Sequence, residues 1–262
     1  MATPIQRAVD IYRNEGAATL STKALRSLRR RAAMAYWRAR KSRTFEIAGV
    51  EATFDTRGRA ARSLRIFDSG ERIMVRDLVS ELEESDVFWD VGAHIGFHSS
   101  LAGQRAQRVE AFEPTPHTVR QGRANLERNE VDGQMHECAM WDADETLTLD
   151  PDSSATGGGA ISVPARRGDS LVDEGLPRPN VVKIDVEGAE PRVVDGMAET
   201  LADDGCRTVY CEVHRPADTR PSVEDHGSSV EGFLDSLRDL GFALETLADR
   251  GPDFHIKATA LE

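Results

Sequence analysis

Lysine is nearly absent from this chain. Only four of its 33 basic residues are lysine (Lys23, Lys41, Lys183 and Lys257), against 45 Asp and Glu and a net charge of −12. So acidic a body argues against a general affinity for nucleic acid, which needs a basic face. A lysine-poor, acidic surface suits a high-salt cytoplasm, where screening removes self-repulsion, and so points to a halophilic source. Cysteine is equally scarce. Cys138, Cys206 and Cys211 form no CxxC pair and no zinc spacing. An odd count without a framework points to a reduced, cytoplasmic setting. Long apolar runs are missing too. The longest, "AAMAYW" at 32–37, falls far short of the ~20 residues a membrane span needs. The opening "MATPIQRAVDIYRNEG" has no apolar core of a secretory signal.

The charge that is present is unevenly spread. Residues 16–45 hold nine Lys or Arg and no acid, leaving 24 basic against 45 acidic side chains elsewhere. Residues 20–41 read as a helix with Leu25, Leu28, Ala32, Ala35 and Tyr36 on one face and arginines around the rest. Two readings stand. The stripe packs on the chain's own acidic body, or residues 20–43 lie on an anionic membrane, at the inner membrane surface.

From there the pattern builds a domain. "FEIAGVEATFDT" (45–56) reads as a hairpin, "SLRIFDS" as a further strand, and residues 72–85 as a helix with Ile73, Val75, Leu78, Val79 and Leu82 inward. From residue 86 strands and helices alternate. The strands are "DVFWDV", "RVEAF", "QMHECAM", "VVKIDV" and "RTVYCEV". Thr115 caps the helix that Pro116 opens. "PDSSATGGGAIS" (151–162) reads as a loop. "FALETL" and "FHIKAT", joined by the short "ADRGPD", must form a hairpin. The expectation is an α/β fold with a doubly wound, mostly parallel sheet and an antiparallel C-terminal edge. Its organisation is a basic helical extension (1–44), a hairpin and helix leading into the core (45–85), and the main domain (86–262).

Such sheets bind ligands at the carboxyl ends of their strands. The first strand ends in "DVGAHIG", which supplies Asp90, Gly92, Ala93, His94 and Gly96. The second ends in "FEP", with Glu113 lying 21 residues beyond Gly92 and Pro114 next to it. An acid at that distance can hold the two hydroxyls of a ribose. The turn does not fit G-x-G-x-x-G, and its acid would repel a pyrophosphate. An acid there suits a cationic ligand with an amino group, such as S-adenosylmethionine (SAM). Met140 and Trp141, ending the third strand, are candidates beside the adenine, with core packing the alternative for Met140.

The stretches "VFWDVGAHIGFHSSLAG", "VEAFEPTPHTVRQGRANLERN" and "VVKIDVEGAE" together resemble the FkbM-like family of SAM-dependent methyltransferases. The resemblance covers residues 86–214. It implies a Rossmann-like class I methyltransferase fold, with its seven-stranded sheet, and methylation of oxygen, often on a sugar or polyketide hydroxyl. Members commonly carry Asn where this chain has His94, which leaves the role of that side chain open.

"VVKIDVEGAE" places Lys183 and Asp185 on one face of a core strand, with Glu187 and Glu190 following. Buried charges are costly unless paired or used. Asp185 is the first candidate for the acceptor's base, Glu187 stands next to it, and Glu212 and His214 end the neighbouring strand. Lys183 either pairs with a carboxylate or holds an anionic substrate. Lys183, Asp185 and Glu190 as a purely structural charge network is the bland alternative. Asp185, Glu212 and His214 could also hold Mg or Mn, but no close-spaced ligand motif favours a metal. The leading expectation is a SAM-dependent O-methyltransferase acting on a hydroxyl of a small or lipid-linked glycan. The alternatives are a carboxyl methyltransferase esterifying a uronic acid and a non-catalytic SAM-binding module.

Overall fold

The computed structural model describes residues 4–57, 64, 71–149, 160–217 and 220–261. They fall into two compact units, residues 1–43 with 55–64, and residues 44–54 with 65–262. The first unit is dominated by helix α1 (Pro4–Arg40), which breaks its helical geometry at Gly16 (φ 85°, ψ 169°). It begins well before the expected residue 20. The side chains of Leu25, Leu28, Ala32, Ala35 and Tyr36 are all exposed. The Thr56 hydroxyl donates to the Trp37 carbonyl at 2.6 Å, fastening the return segment.

A two-stranded sheet follows, β1 (Ser42–Ile47) and β2 (Val50–Asp55), whose residues 44–54 open the second unit. Ala48 (φ 53°) and Gly49 (φ 79°) make the tight turn between them. Phe45 and Phe54 pack on Phe97, each with ring centroids 5.0 Å from it. Helix α2 (Arg72–Glu81) follows. It buries Met74, Val75, Leu78 and Val79, whereas Ile73, expected inside, is 55% exposed. Val75, Leu78, Val79 and Leu82 face inward as expected, and Met74 takes the place expected of Ile73.

The core is a seven-stranded sheet. Its strands are β3 (Val87–Val91), β4 (Arg108–Phe112), β5 (Gly133–His136), β9 (Val181–Ile184), β10 (Thr208–His214), β11 (Phe242–Asp249) and β12 (Asp253–Ala260). Their order is β11-β12-β10-β9-β3-β4-β5. β3, β4, β5, β9 and β10 run parallel, and the β11/β12 hairpin pairs antiparallel with β10. The doubly wound sheet with an antiparallel edge is as expected. The order reverses between β3 and β9, so the ligand crevice belongs there. Every residue of β9 and β10 is buried, as strands covered on both faces require. Helices α3 (Phe97–Ala102), α4 (Pro116–Arg128), α6 (Glu190–Gly196), α7 (Ala198–Leu201) and α8 (Val230–Asp239) link the strands.

Three readings need correction. "QMHECAM" is not one strand. It splits into β5 and β6 (Ala139–Met140), and β6 joins β7 (Glu145–Leu149) and β8 (Ile161–Arg166) in a separate three-stranded sheet. β8 and the following helix α5 (Gly168–Asp173) carried no recognised signal, and β8 begins inside the expected loop; residues 151–159 of that loop lie outside the described residues. Most of "SLRIFDS" also lies outside them. The strand "VVKIDV" stops at Ile184, because Glu187 (φ 51°) and Gly188 (φ 101°) turn the chain away.

Candidate active site

The turn after β3 is shaped by contact. Gly92 has φ 75°, and a Cβ there would lie 1.8 Å from the carbonyl oxygen of Asp185. Only glycine lets the ends of β3 and β9 close to this distance. The N–H groups of Gly92 and Ala93 both donate to the Phe112 carbonyl, at 3.0 and 2.9 Å. His94 and Gly96 also have positive φ, and the His94 side chain is exposed.

Beneath the turn Lys183, one of the unusual charges of β9, meets Asp90. Asp90 is fully buried, and its Oδ2 accepts from the Ser99 N–H and hydroxyl. Its Oδ1 faces Lys183 Nζ at 3.1 Å. Burial opposes ionisation of Asp90, but Lys183, His98 and the Ser99 hydrogen bond together outweigh it and hold the carboxyl below its usual range. Lys183 is 1% exposed and also donates to the Gly92 carbonyl at 2.8 Å. Thus Asp90 and Lys183 brace the turn from below. Both side chains are buried, and Lys183 pairs with a carboxylate, one of the two roles its position suggested.

Glu113 ends β4 beside the same turn and is 8% exposed. Its Oε2 accepts from the His94 N–H at 3.2 Å and its Oε1 from the Thr115 N–H at 2.8 Å. Burial raises its pKa against these backbone donors. Each oxygen keeps a lone pair beyond its one backbone bond. A fixed carboxylate with acceptors to spare fits a ribose diol. Pro114 is half-buried behind it. Met140 is 3% exposed and belongs to the core, near Gly168 and Met197. The half-buried Trp141 ring meets His226 at 5.5 Å and Arg192 at 6.0 Å.

The second cluster stands at the ends of β9 and β10. One ligand atom each from Asp185, Glu212 and His214 lies within 4.8 Å of the others, a spacing a cation could bridge. Their surroundings differ sharply. His214 is 1% exposed, with Nδ1 2.8 Å from Glu190 Oε1 and Nε2 3.5 Å from Glu212 Oε1. Burial lowers the imidazole pKa, but Glu190, Asp185 and Glu212 outweigh it and raise the net value. Glu212 contacts Arg250 Nη2 at 2.5 Å and His255 Nε2 at 3.0 Å. Burial opposes its ionisation, but His255 and Arg250 bring its pKa down to about 2. Asp185 alone of the three is partly open, with 28% of its side chain exposed. Burial and the Glu212 carboxylate outweigh Lys183, 3.9 Å away, and its pKa is pushed up to about 7. Glu187 is exposed on the turn that follows.

Sequence reasoning missed Arg250, His255, Asp253 and Glu71. Arg250 ion-pairs with Glu212, Asp253 and Glu71. Antiparallel pairing puts His255 opposite Glu212 and Asp253 opposite His214. The signal was in the topology: a hairpin antiparallel to β10 must begin its return strand at β10's carboxyl end. Glu190, read as part of a charge network, instead holds His214.

A Methyltransferase FkbM domain model matches residues 90–244. Over 184 residues the chain is 33% identical to Hexuronic acid methyltransferase AglP of Haloferax volcanii, covering 67% of this chain and 75% of that protein. It is 30% identical over 177 residues to 31-O-demethyl-FK506 methyltransferase FkbM of Streptomyces tacrolimicus, covering 51% and 67%. The crystal structure of Methyltransferase FkbM from Methylobacillus flagellatus KT superposes with a TM-score of 0.50 at 16% identity, over 70% of this chain and 46% of that one, a likeness of fold. The chain is a methyltransferase of the FkbM family, built on the Rossmann-like sheet described above.

Proposed function

We propose that this enzyme transfers a methyl group from SAM to a hydroxyl of a sugar acceptor, with Asp185 as the general base. The observation that carries the reading is Asp185 itself. It is the one partly open acid of its cluster, it adjoins the Gly92 turn, and its pKa is pushed up to about 7. A base poised near the working pH transfers protons most effectively. His214 and Glu212 are less suited. Against its burial, Glu190, Asp185 and Glu212 raise the pKa of the first, and His255 and Arg250 bring that of the second down to about 2.

The cofactor would be held by Glu113 at the ribose and by the turn from Gly92 to Gly96. When bound, it supplies an electrophilic methyl on a sulfonium, so the protein's task is to orient the acceptor oxygen and take its proton. Asp185 receives that proton as the oxygen attacks. A divalent cation is not favoured at this site, because Arg250 and His255 already engage both oxygens of Glu212. Activity is expected to survive EDTA.

A sugar acceptor is supported by the Haloferax volcanii relative, a hexuronic acid methyltransferase. That name also supports a second reading, in which the uronate carboxylate is methylated and no base is needed. The two products differ chemically. Purified enzyme, labelled SAM and a uronic acid-terminated oligosaccharide would be combined, and the product treated with mild alkali. Label that survives alkali is the expected ether. Label released by alkali marks an ester and would replace the hydroxyl reading with the carboxylate one.

A further inference from the structure

One face of α1 is left in water. Leu25, Leu28, Ala32, Ala35 and Tyr36 share a helical stripe, and Leu28 is 65%, Tyr36 51% and Leu25 49% exposed. Leaving large apolar side chains exposed forgoes the gain of burying them. The stripe is rimmed by cations. On a helical projection Arg29 and Arg40 fall along one flank and Arg31 along the other, all three exposed. The aromatic end combines both features. Arg40 lies 5.3 Å from the centre of the Tyr36 ring and Arg43 lies 5.1 Å from that of Trp37. The two rings meet edge-on at 4.9 Å.

We infer that residues 20–43 dock on a membrane surface rich in anionic lipid. Leu25, Leu28 and Tyr36 enter the boundary between headgroups and acyl chains, and the arginines contact lipid phosphates. Charge selects this occupant. Nine basic side chains and no acid occur between residues 16 and 45. A second copy of the same helix would set like charge against like. An anionic bilayer attracts each Lys or Arg near its surface, and the attraction adds up along a basic segment. The stripe is narrow and rich in alanine, so apolar contact and charge are both needed. Tyr and Trp, apolar in body and polar at the edge, suit the interface. The segment lies on the surface without crossing, since no helix among the described residues is long and apolar enough to span a membrane. The inference stands on the helix alone and does not depend on the identity of the acceptor.

The test is flotation of the full chain with vesicles of phosphatidylglycerol and phosphatidylcholine, and with vesicles of phosphatidylcholine alone. Soluble polyphosphate serves as a competitor, at moderate and at molar KCl. The expected result is flotation with the anionic vesicles only, weaker in molar KCl. Leu25→Glu/Leu28→Glu should lower the bound fraction at least tenfold, and so should Arg29→Glu/Arg31→Glu. Circular dichroism of both variants should match the parent, and their methylation of a soluble acceptor should be unchanged. Three results would overturn the inference: no flotation of the folded parent chain, equal flotation with both vesicle types, or a Leu25→Glu/Leu28→Glu variant that floats like the parent. Complete displacement by polyphosphate, with no residual contribution from the leucines, would mark a mere polyanion site and overturn it as well.

Discussion

Asp185, Glu212 and His214 stand within one small space, yet their neighbours give them different protonation. Burial pushes the pKa of Asp185 up to about 7, while His255 and Arg250 bring that of Glu212 down to about 2. A hydroxyl acceptor therefore requires a rate that rises with pH through about 7 as Asp185 ionises. A carboxylate acceptor would show no such limb. Asp185→Asn is expected to lower kcat by about a hundredfold or more and to remove the rising limb, with KM little changed. The same change affects stability in the opposite sense. The folded pKa of Asp185 lies above its unfolded value, so ionising it weakens the fold as pH rises from about 4 to 7. Asp185→Asn should then melt a few degrees higher than the parent at pH 8, with the gap closing near pH 4, as read by scanning calorimetry. Glu190 acts one step back. Its Oε1 accepts from the Gly188 N–H at 3.0 Å as well as meeting His214. Glu190→Gln keeps the shape but removes the charge. It is expected to cost about tenfold in kcat/KM, the worth of one charge-assisted hydrogen bond, and to lower the His214 pKa seen by NMR.

The turn after β3 and the β11/β12 hairpin build the site from opposite sides. The turn was legible in the sequence. "DVGAHIG" followed by an acid 21 residues past Gly92 gave the ligand class, and strand alternation gave the fold. The reason is local: glycines and hydrophobic periodicity record conformation within a few residues. The hairpin's contribution was not legible. Arg250 and His255 lie 38 and 43 residues from Glu212 along the chain, and only β-pairing brings them to it. Lys183 was visible as an anomaly, but its partner Asp90 lies on a neighbouring strand, so bracing and catalysis looked alike. Met140 read as a strand end because the break at Glu137 and Cys138 leaves no mark in composition. Gly92→Ala probes the turn most sharply. Its Cβ would overlap the Asp185 carbonyl at 1.8 Å and its φ of 75° is strained for alanine. A loss of about 2 kcal/mol or more in urea unfolding, and loss of SAM-class binding, is expected.

The chain as a whole joins an acidic body to a basic segment. A net charge of −12 with four lysines repels itself unless salt screens it. The melting temperature should rise from low to molar KCl, and a flat or falling curve would contradict a high-salt origin. Family membership is carried by residues 90–244, and both site clusters begin within that span; Arg250, Asp253 and His255 lie beyond it. Everything proposed for the chemistry depends on a SAM-class ligand seated between the Gly92 turn and Glu113. Calorimetric titration with S-adenosylhomocysteine in molar KCl, parent beside Glu113→Ala, addresses that point first. The expected result is micromolar binding by the parent, weakened at least tenfold in the variant. A folded parent that takes up no heat, or a variant that binds as tightly as the parent, would contradict the assignment of this crevice.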